Sequence, residues 1–272
     1  MGLYDIMDEI AAKQVLKSET GDNRILGIVV GIVAKNYDQD MPGRVCVQVP
    51  VRDDDANELQ WARVVMPSSG KQWGHYFQPE EGDQVVLAFE HGNIEKPYVI
   101  GCVPKENNPF LTKAKHEKNQ YKKIITRNGN TIQFDDCEEE DGTKDKISIY
   151  TPKEAHRLIL DNEKKQITLG DKDGKNQLVI KTEDEQGKIE IQTEKKLTIS
   201  VGDNITVTMN ADTGAVNVKC TKFTVDASDS SQIKASGKLG LSGGNLSMEA
   251  SSMLKAESSG MVTIGGSPIK IG

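Results

Sequence analysis

The chain has 272 residues, with 34 Lys and Arg against 41 Asp and Glu, a net charge of −7, 36% apolar residues and 5% aromatics. That length suits one or two domains, and the acidic balance argues against a protein that neutralises phosphates along a nucleic acid. The longest apolar run, Ile25–Ala34, falls well short of the roughly 20 residues of a membrane helix, and residues 1–17 carry acids without the apolar stretch of a secretory signal.

Residues 1–18 read as a short amphipathic helix, with Leu3, Ile6, Met7 and Ile10 at helical spacing, acids toward its start and Lys13 and Lys17 toward its end. Two readings stand for it: a helix packed on its own domain, or a docking element for a neighbouring protein. From Arg24 to Val103 the signals are those of strands. Ile25–Ala34, Arg44–Val51, Gln60–Met66, Asp83–Glu90 and Lys96–Val103 are separated by Pro, Gly and Asp clusters. Five short strands in this span, the first bearing Gly27 and Gly31, suit a small closed barrel of the OB type. Pro104–Lys123 then has the composition of a linker, with Pro104, Pro109 and six Lys against two Glu.

From Lys123 onward the chain is a ladder of apolar–polar–apolar segments. Thr131–Phe134, Ile147–Ile149, Ile167–Leu169, Ile189–Ile191, Leu197–Val201 and Ile205–Met209 are followed by Val216–Val218, Phe223–Val225, Ile233–Ala235, Leu239–Leu241, Leu246–Met248, Val262–Ile264 and Ile269–Ile271. Turn residues such as Asp173-Gly174, Gly202-Asp203-Asn204 and Gly243-Gly244 separate many of them. The repeat settles near seven to eight residues toward the end, with no helical period between, as in a β-solenoid or β-prism. Each such strand offers two inward side chains worth about 1.5–3 kcal/mol apiece when buried, against about 1–2 kcal/mol of backbone entropy per ordered residue. A single chain built this way cannot enclose a core. Several copies around one axis can, and three is the smallest number that closes a prism with cyclic symmetry; strands paired between chains would leave no lateral edges. Both Trp, Trp61 and Trp73, lie in the first third, and no aromatic follows Phe223. An interior made without aromatics is thin, which suits a slim shaft.

Little in the sequence points to chemistry. Cys46, Cys102, Cys137 and Cys220 form no CxxC pair, and Cys46 and Cys220 fall on apolar positions, as reduced cysteines used as small hydrophobes do. The four His are scattered, so no metal site and no cofactor is expected. The acidic stretch Asp135–Asp141 and the Asp171–Asn176 stretch lack the ligand spacing of a calcium loop and read as turns. No nucleophile–base arrangement is legible, and no catalytic residue is expected.

The stretch from Ile25 to Val103 resembles the OB-like barrel of phage baseplate spike proteins, the gpV-like spikes and the matching part of the VgrG spikes of type VI secretion. The family's Asp-Pro-Gly loop leading into Arg-Val-x-Val reads Asp40-Met41-Pro42-Gly43-Arg44-Val45-Cys46-Val47, with Met41 inserted. Trp61-Ala62-Arg63-Val64 follows, then Gly70, Trp73 and Gly74, then Pro79-Glu80-Glu81-Gly82-Asp83-Gln84-Val85 with Phe89. His91-Gly92-Asn93 and Lys96-Pro97-Tyr98-Val99-Ile100-Gly101 close the pattern, and Asn128–Ile132 is similar to the family's entry into its β-helix.

The resemblance implies an all-β protein: an N-terminal OB-fold barrel followed by a C-terminal intertwined triple-stranded β-helix in a homotrimer, with the short helix in front. The expected organisation is a docking segment at 1–20, the barrel at 21–104, a linker at 105–127 and the spike at 128–272. The function implied is a membrane-puncturing spike at the centre of a contractile baseplate, synthesised in the cytoplasm and assembled into a phage tail or tail-like particle. The family's hub domain is missing, so a separate hub protein is expected, met by Leu3, Ile6, Met7 and Ile10. Without a His near the C-terminus, a separate PAAR-type tip protein is expected on Gly266, Ser267, Pro268, Ile269 and Ile271. The competing reading is a carbohydrate-binding or polysaccharide-cleaving β-helix protein. Such a groove usually shows aromatics, and beyond Phe134 the ladder has only Tyr150 and Phe223.

Overall fold

The computed structural model describes residue 25 and residues 27–49, 58–137, 141–183 and 187–270. The helix expected at 1–18 and Ile271 lie outside the described residues. Two compact units divide the chain, residues 1–196 and 197–272.

The five strands expected in the first part are present as β1 (Val29–Lys35), β2 (Arg44–Val49), β3 (Glu58–Val64), β4 (Gln84–Phe89) and β5 (Pro97–Cys102). They close into a barrel in the order β1-β2-β3-β5-β4, with β1 returning onto β4. Pairing is antiparallel except between β3 and β5. Alternation directs Val29 and Val33 of β1, Val45, Val47 and Val49 of β2, Ala62 of β3, Val85 and Leu87 of β4 and Val99 of β5 into one aliphatic core, and Cys46 between Val45 and Val47 is buried as well. Gly31 lies where β1 passes closest to that core. A Cβ there would come within 2.7 Å of Leu87 Cδ1 and 3.0 Å of the Gln48 carbonyl oxygen, so only glycine lets the strands approach this closely. Register shifts after Val33 on β1 and after Val86 on β4 add the bends that closure requires.

The stretch expected as linker is more ordered than its composition implied. Pro109–Ala114 forms a short helix, α1, whose cap Asn108 accepts the Phe110 amide at 2.9 Å. Tyr121–Ile125 forms β6, so the ladder starts before Thr131. β7 (Thr131–Asp135), β8 (Lys146–Tyr150), β9 (His156–Asp161), β10 (Gln166–Asp171), β11 (Gln177–Lys181) and β12 (Lys188–Gln192) continue a seven-stranded antiparallel meander. The second unit holds a three-stranded sheet of β13 (Lys196–Val201), β14 (Ile205–Asn210) and β15 (Ala215–Lys219). One expectation is corrected here. Pairing over 121–219 runs within the chain rather than between chains, because turns such as Asp171–Asn176 bring successive segments back side by side. From 220 to 270 no described residue belongs to a strand, although the alternation continues.

Asp171 shows how these turns are closed. Its carboxylate accepts the amides of Lys175 (2.9 Å) and Asn176 (3.0 Å) and the Asn176 side chain (2.8 Å). The Asn176 side chain first, and then these amides, hold its carboxyl below the usual value. This is the hairpin turn that the sequence predicted, not a calcium loop.

Candidate functional site: the unpartnered apolar faces

The seven-stranded sheet has two unlike faces. Register aligns Ile124, Ile132, Ile149, Leu158, Leu169, Leu178 and Ile191 in one row across all seven strands. A second row on the same face runs Phe134, Ile147, Leu160, Ile167, Ile180 and Ile189. This face is open: Ile132 is 37% exposed, Ile149 42% and Ile189 68%. An exposed contiguous apolar surface of this kind marks an interaction site.

The opposite face is polar and closed by its own side chains. Thr131, Ser148 and Asp161 are buried there, with Val179 among them. Lys146 Nζ stands 3.1 Å from Asp161, the Lys164 amide donates to the same carboxylate at 3.0 Å, and the Tyr150 hydroxyl donates to Gln133 Oε1 at 3.3 Å. Burial alone would push the Asp161 carboxyl up; the Lys164 amide and the Lys146 ammonium outweigh it and hold the group below its ordinary range. The burial pattern is thus inverted relative to a free globular sheet: polar groups such as Asp161 and Gln133 find partners inside the chain, although the buried Arg157 Nε has none among the described residues, and apolar side chains are left for something else to cover.

Phe77 of the barrel loop lies beside this face. With Ile124, Ile132, Ile149, Leu158 and Leu169 it lines a groove of about 460 Å³. The loop is fixed at both ends. The Gly70 amide donates to the Trp73 carbonyl at 2.7 Å, and Gln78 Nε2 donates to the carbonyls of Asn36 (2.6 Å) and Arg44 (2.9 Å). Glu80 accepts Asn36 Nδ2 at 3.3 Å and Arg127 Nη1 at 3.0 Å, which ties the barrel to the β6–β7 turn. Trp73, Tyr76 and Phe77 project from the loop, all more than 60% exposed. In the second unit Val207 pairs with Val218 and Met209 with Val216, again with one apolar face and no buried residue among those described.

The motifs of the sequence resolve into the joints of the barrel. Gly43 and Gly82 take positive φ at the entries to β2 and β4. The Asp83 carboxylate accepts the Glu80 amide at 2.9 Å, and the Gly82 amide bonds the Val33 carbonyl at 2.8 Å. Asn93 Oδ1 accepts the Glu95 amide at 2.9 Å, and Glu90 receives both Lys96 Nζ (3.2 Å) and the Tyr98 hydroxyl (3.3 Å). These residues shape a scaffold rather than gather reactive groups. Among the described residues no three His, Cys, Asp or Glu side chains are grouped to hold a metal ion. The cysteines are unpaired, and burial pushes the Cys46 thiol up.

The expected docking residues fall partly within the described chain. Gly266, Ser267, Pro268 and Ile269 are exposed near the end of the described chain, while Leu3, Ile6, Met7, Ile10 and Ile271 lie outside it. Phe77 and the tie through Arg127 were not foreseen. No sequence signal marks them beyond an aromatic in a Gly-rich loop and a lone Arg in a turn.

Comparison with known proteins agrees with this geometry. Residues 29–103, the barrel, match the type VI secretion system/phage-baseplate injector OB domain. The type VI secretion system spike protein VgrG1a of Pseudomonas aeruginosa is 24% identical over 253 residues, 81% of this chain and 38% of that protein. VgrG1b of the same organism is 29% identical over 119 residues, 42% of this chain and 16% of that protein. The actin cross-linking toxin VgrG1 of Vibrio cholerae is 27% identical over 153 residues, 54% of this chain and 14% of that protein. The chain spans well under half the length of each. Its barrel matches the injector OB domain, and the chain is similar to VgrG spike proteins.

Proposed function

We propose that this gpV/VgrG-like chain is the central spike of a contractile injection particle, a homotrimer whose shaft carries the axial force of sheath contraction into a target membrane. The observation that carries the reading is the two-faced sheet behind an injector OB barrel. Its polar face is held by contacts within the chain such as Lys146 with Asp161, and its apolar face suits burial between three copies around one axis. In this reading the barrel sits at the sheath-side end. Leu3, Ile6, Met7 and Ile10 meet a separate hub protein, and Gly266, Ser267, Pro268, Ile269 and Ile271 seat a separate PAAR-type tip. The role is mechanical: stiffness comes from continuous backbone hydrogen bonding along the shaft, and no residue acts as a catalyst. The particle, whether phage tail or secretion machine, is where the chain works after synthesis in the cytoplasm.

The test is to tag the chain in its native host and purify contractile particles by their sheath and tube. The chain is expected at the baseplate end, on a genome stretch that also encodes sheath and tube. Complete particles that lack it, with the chain free in the cell, would overturn the proposal.

A further inference from the structure

We infer that the hairpin between β3 and β4, residues 68–76, binds a β-linked oligosaccharide, with the Trp73 indole as the surface on which a sugar ring stacks. The inference is independent of the spike reading, because the hairpin stands on a barrel that the chain closes by itself. The first observation is order without burial. Every residue from 69 to 77 is exposed, yet the segment is tied along its length. Ser69 and Gly74 form a β-bridge, and the His75 amide donates to the Ser68 carbonyl at 3.0 Å. A Cβ at Gly74 would meet the Ser68 carbonyl oxygen at 2.9 Å, so the turn closes this tightly only with glycine. Surface loops held in place by a rigid scaffold are where binding residues concentrate.

The second observation is how the rings are held. A Cβ at Gly70 would fall 2.5 Å from Trp73 Nε1 and Cε2 and 2.8 Å from Cζ2, so the indole packs directly against the glycine backbone. Trp73 is nevertheless 67% exposed, which leaves the rest of the ring open. Tyr76 is as open, and its hydroxyl donates to Gln78 Oε1. Gln78 Nε2 in turn donates to the Asn36 carbonyl, and Tyr37, the next residue, is exposed as well. One hydrogen-bonded corner of the barrel thus carries three open aromatic rings.

The neighbours of these rings say what fits. Residues 65–79 contain no acid, and Lys71, Gln72 and His75 flank Trp73. His75 Nδ1 is hydrogen-bonded to Ser68 Oγ at 3.0 Å, and among the described residues nothing bonds to His75 Nε2, Lys71 or Gln72. Open rings beside unused amide, imidazole and ammonium groups suit a sugar, whose C–H face stacks on an aromatic ring and whose hydroxyls need donors and acceptors. β-Linked pyranoses with equatorial substituents present the flattest such face, and OB barrels accept oligosaccharides. Single-stranded nucleic acid also stacks on aromatics, but a net charge of −7 opposes it. A protein partner needs about 800 Å² of surface, with contacts that exclude water around its aromatic anchors, and the polar neighbours of Trp73 do not supply that.

The test titrates the purified full chain with chitotetraose and reads heat and tryptophan fluorescence. Wild type is compared with Trp73→Ala, Trp73→Phe and, as a control on the exposed ring of α1, Phe110→Ala. Circular dichroism and light scattering follow the fold and mass of each. Wild type and Phe110→Ala are expected to bind alike, with a fluorescence change that Trp73→Phe no longer shows. Trp73→Ala is expected to bind about tenfold more weakly at the wild-type mass, and Trp73→Phe to recover part of the loss. A wild type that gives neither heat nor a fluorescence change overturns the inference, as does a Trp73→Ala chain that binds as tightly as wild type. A Trp73→Ala chain that has lost the wild-type mass overturns it too, because the hairpin then serves a contact between copies. The spike reading is decided separately, by the mass of the wild type without sugar.

Discussion

The barrel and the ladder are both written in short alternating strands, yet the alternation ends differently in each. In the barrel Val45, Val47, Val49, Val85 and Leu87 are all fully buried. In the ladder Ile149, with the same alternation, is 42% exposed, and Leu239 is 54% exposed. The barrel closes because β1 returns to β4, so that five strands wrap their inner faces around a single volume. The meander from Tyr121 to Gln192 has no such return; its strands lie side by side and leave one face open. Alternation therefore fixes which side chains share a face, and closure decides whether one chain is enough to cover it.

The largest effect expected from breaking this difference is on assembly. In the proposed trimer, Val207→Asp, on the apolar face of β14, would place one charge per copy near the common axis, where unpaired buried charge is costly. It is expected to abolish the trimer in light scattering while the barrel stays folded. A fully assembled variant would show that this face is not the one buried. Within the barrel, Leu87→Ala removes a fully buried side chain. A loss of about 2–5 kcal/mol is expected in urea unfolding of the barrel, independent of protein concentration if the core that the chain closes by itself is the whole of it. Dependence on concentration would mean that the barrel also relies on its neighbours. Gly31→Ala tests closure itself. The added methyl meets Leu87 Cδ1 at 2.7 Å and a backbone oxygen at 3.0 Å, and about 1–3 kcal/mol of barrel stability should be lost; a neutral substitution would show that the strands can part there without cost.

The smallest effect is expected on the polar face of the sheet. The Asp161 carboxyl is held below its ordinary value, so the stabilisation it gives is present at neutral pH and is lost as pH falls through that lowered value. Asp161→Asn should cost about 1 kcal/mol at pH 7 and flatten the decline of sheet stability below about pH 4. An unchanged acid profile would mean that the contact with Lys146 contributes nothing there.

The barrel was legible because its burial and its turns are local. The five expected strands lie within a few residues of β1 to β5, and Gly31, Gly43 and Gly82 mark a close approach and two turns. β6 was harder to see: Tyr121-Lys122-Lys123-Ile124-Ile125 sits in a Lys-rich stretch, and only its partner Thr131–Asp135 makes a strand of it. The short helix at Pro109–Ala114 did carry a signal, Asn108 at the cap and Pro109 at the first turn, hidden by a composition read as linker. What alternation cannot reveal is the owner of the neighbouring strand. Ile147-Ser148-Ile149 and Leu239-Gly240-Leu241 look alike in sequence, yet the first pairs within its chain and the second does not. Phe77 and the Glu80–Arg127 tie depend on residues far apart in sequence, which no local pattern brings together.

Other copies of this chain are the proposed cover for the open faces. Light scattering on the purified full chain in native buffer measures that directly. A mass of three chains, unchanged on dilution, is the predicted result. A monomer that keeps the sheet's apolar face exposed would contradict the account and return the protein to the carbohydrate-active alternative.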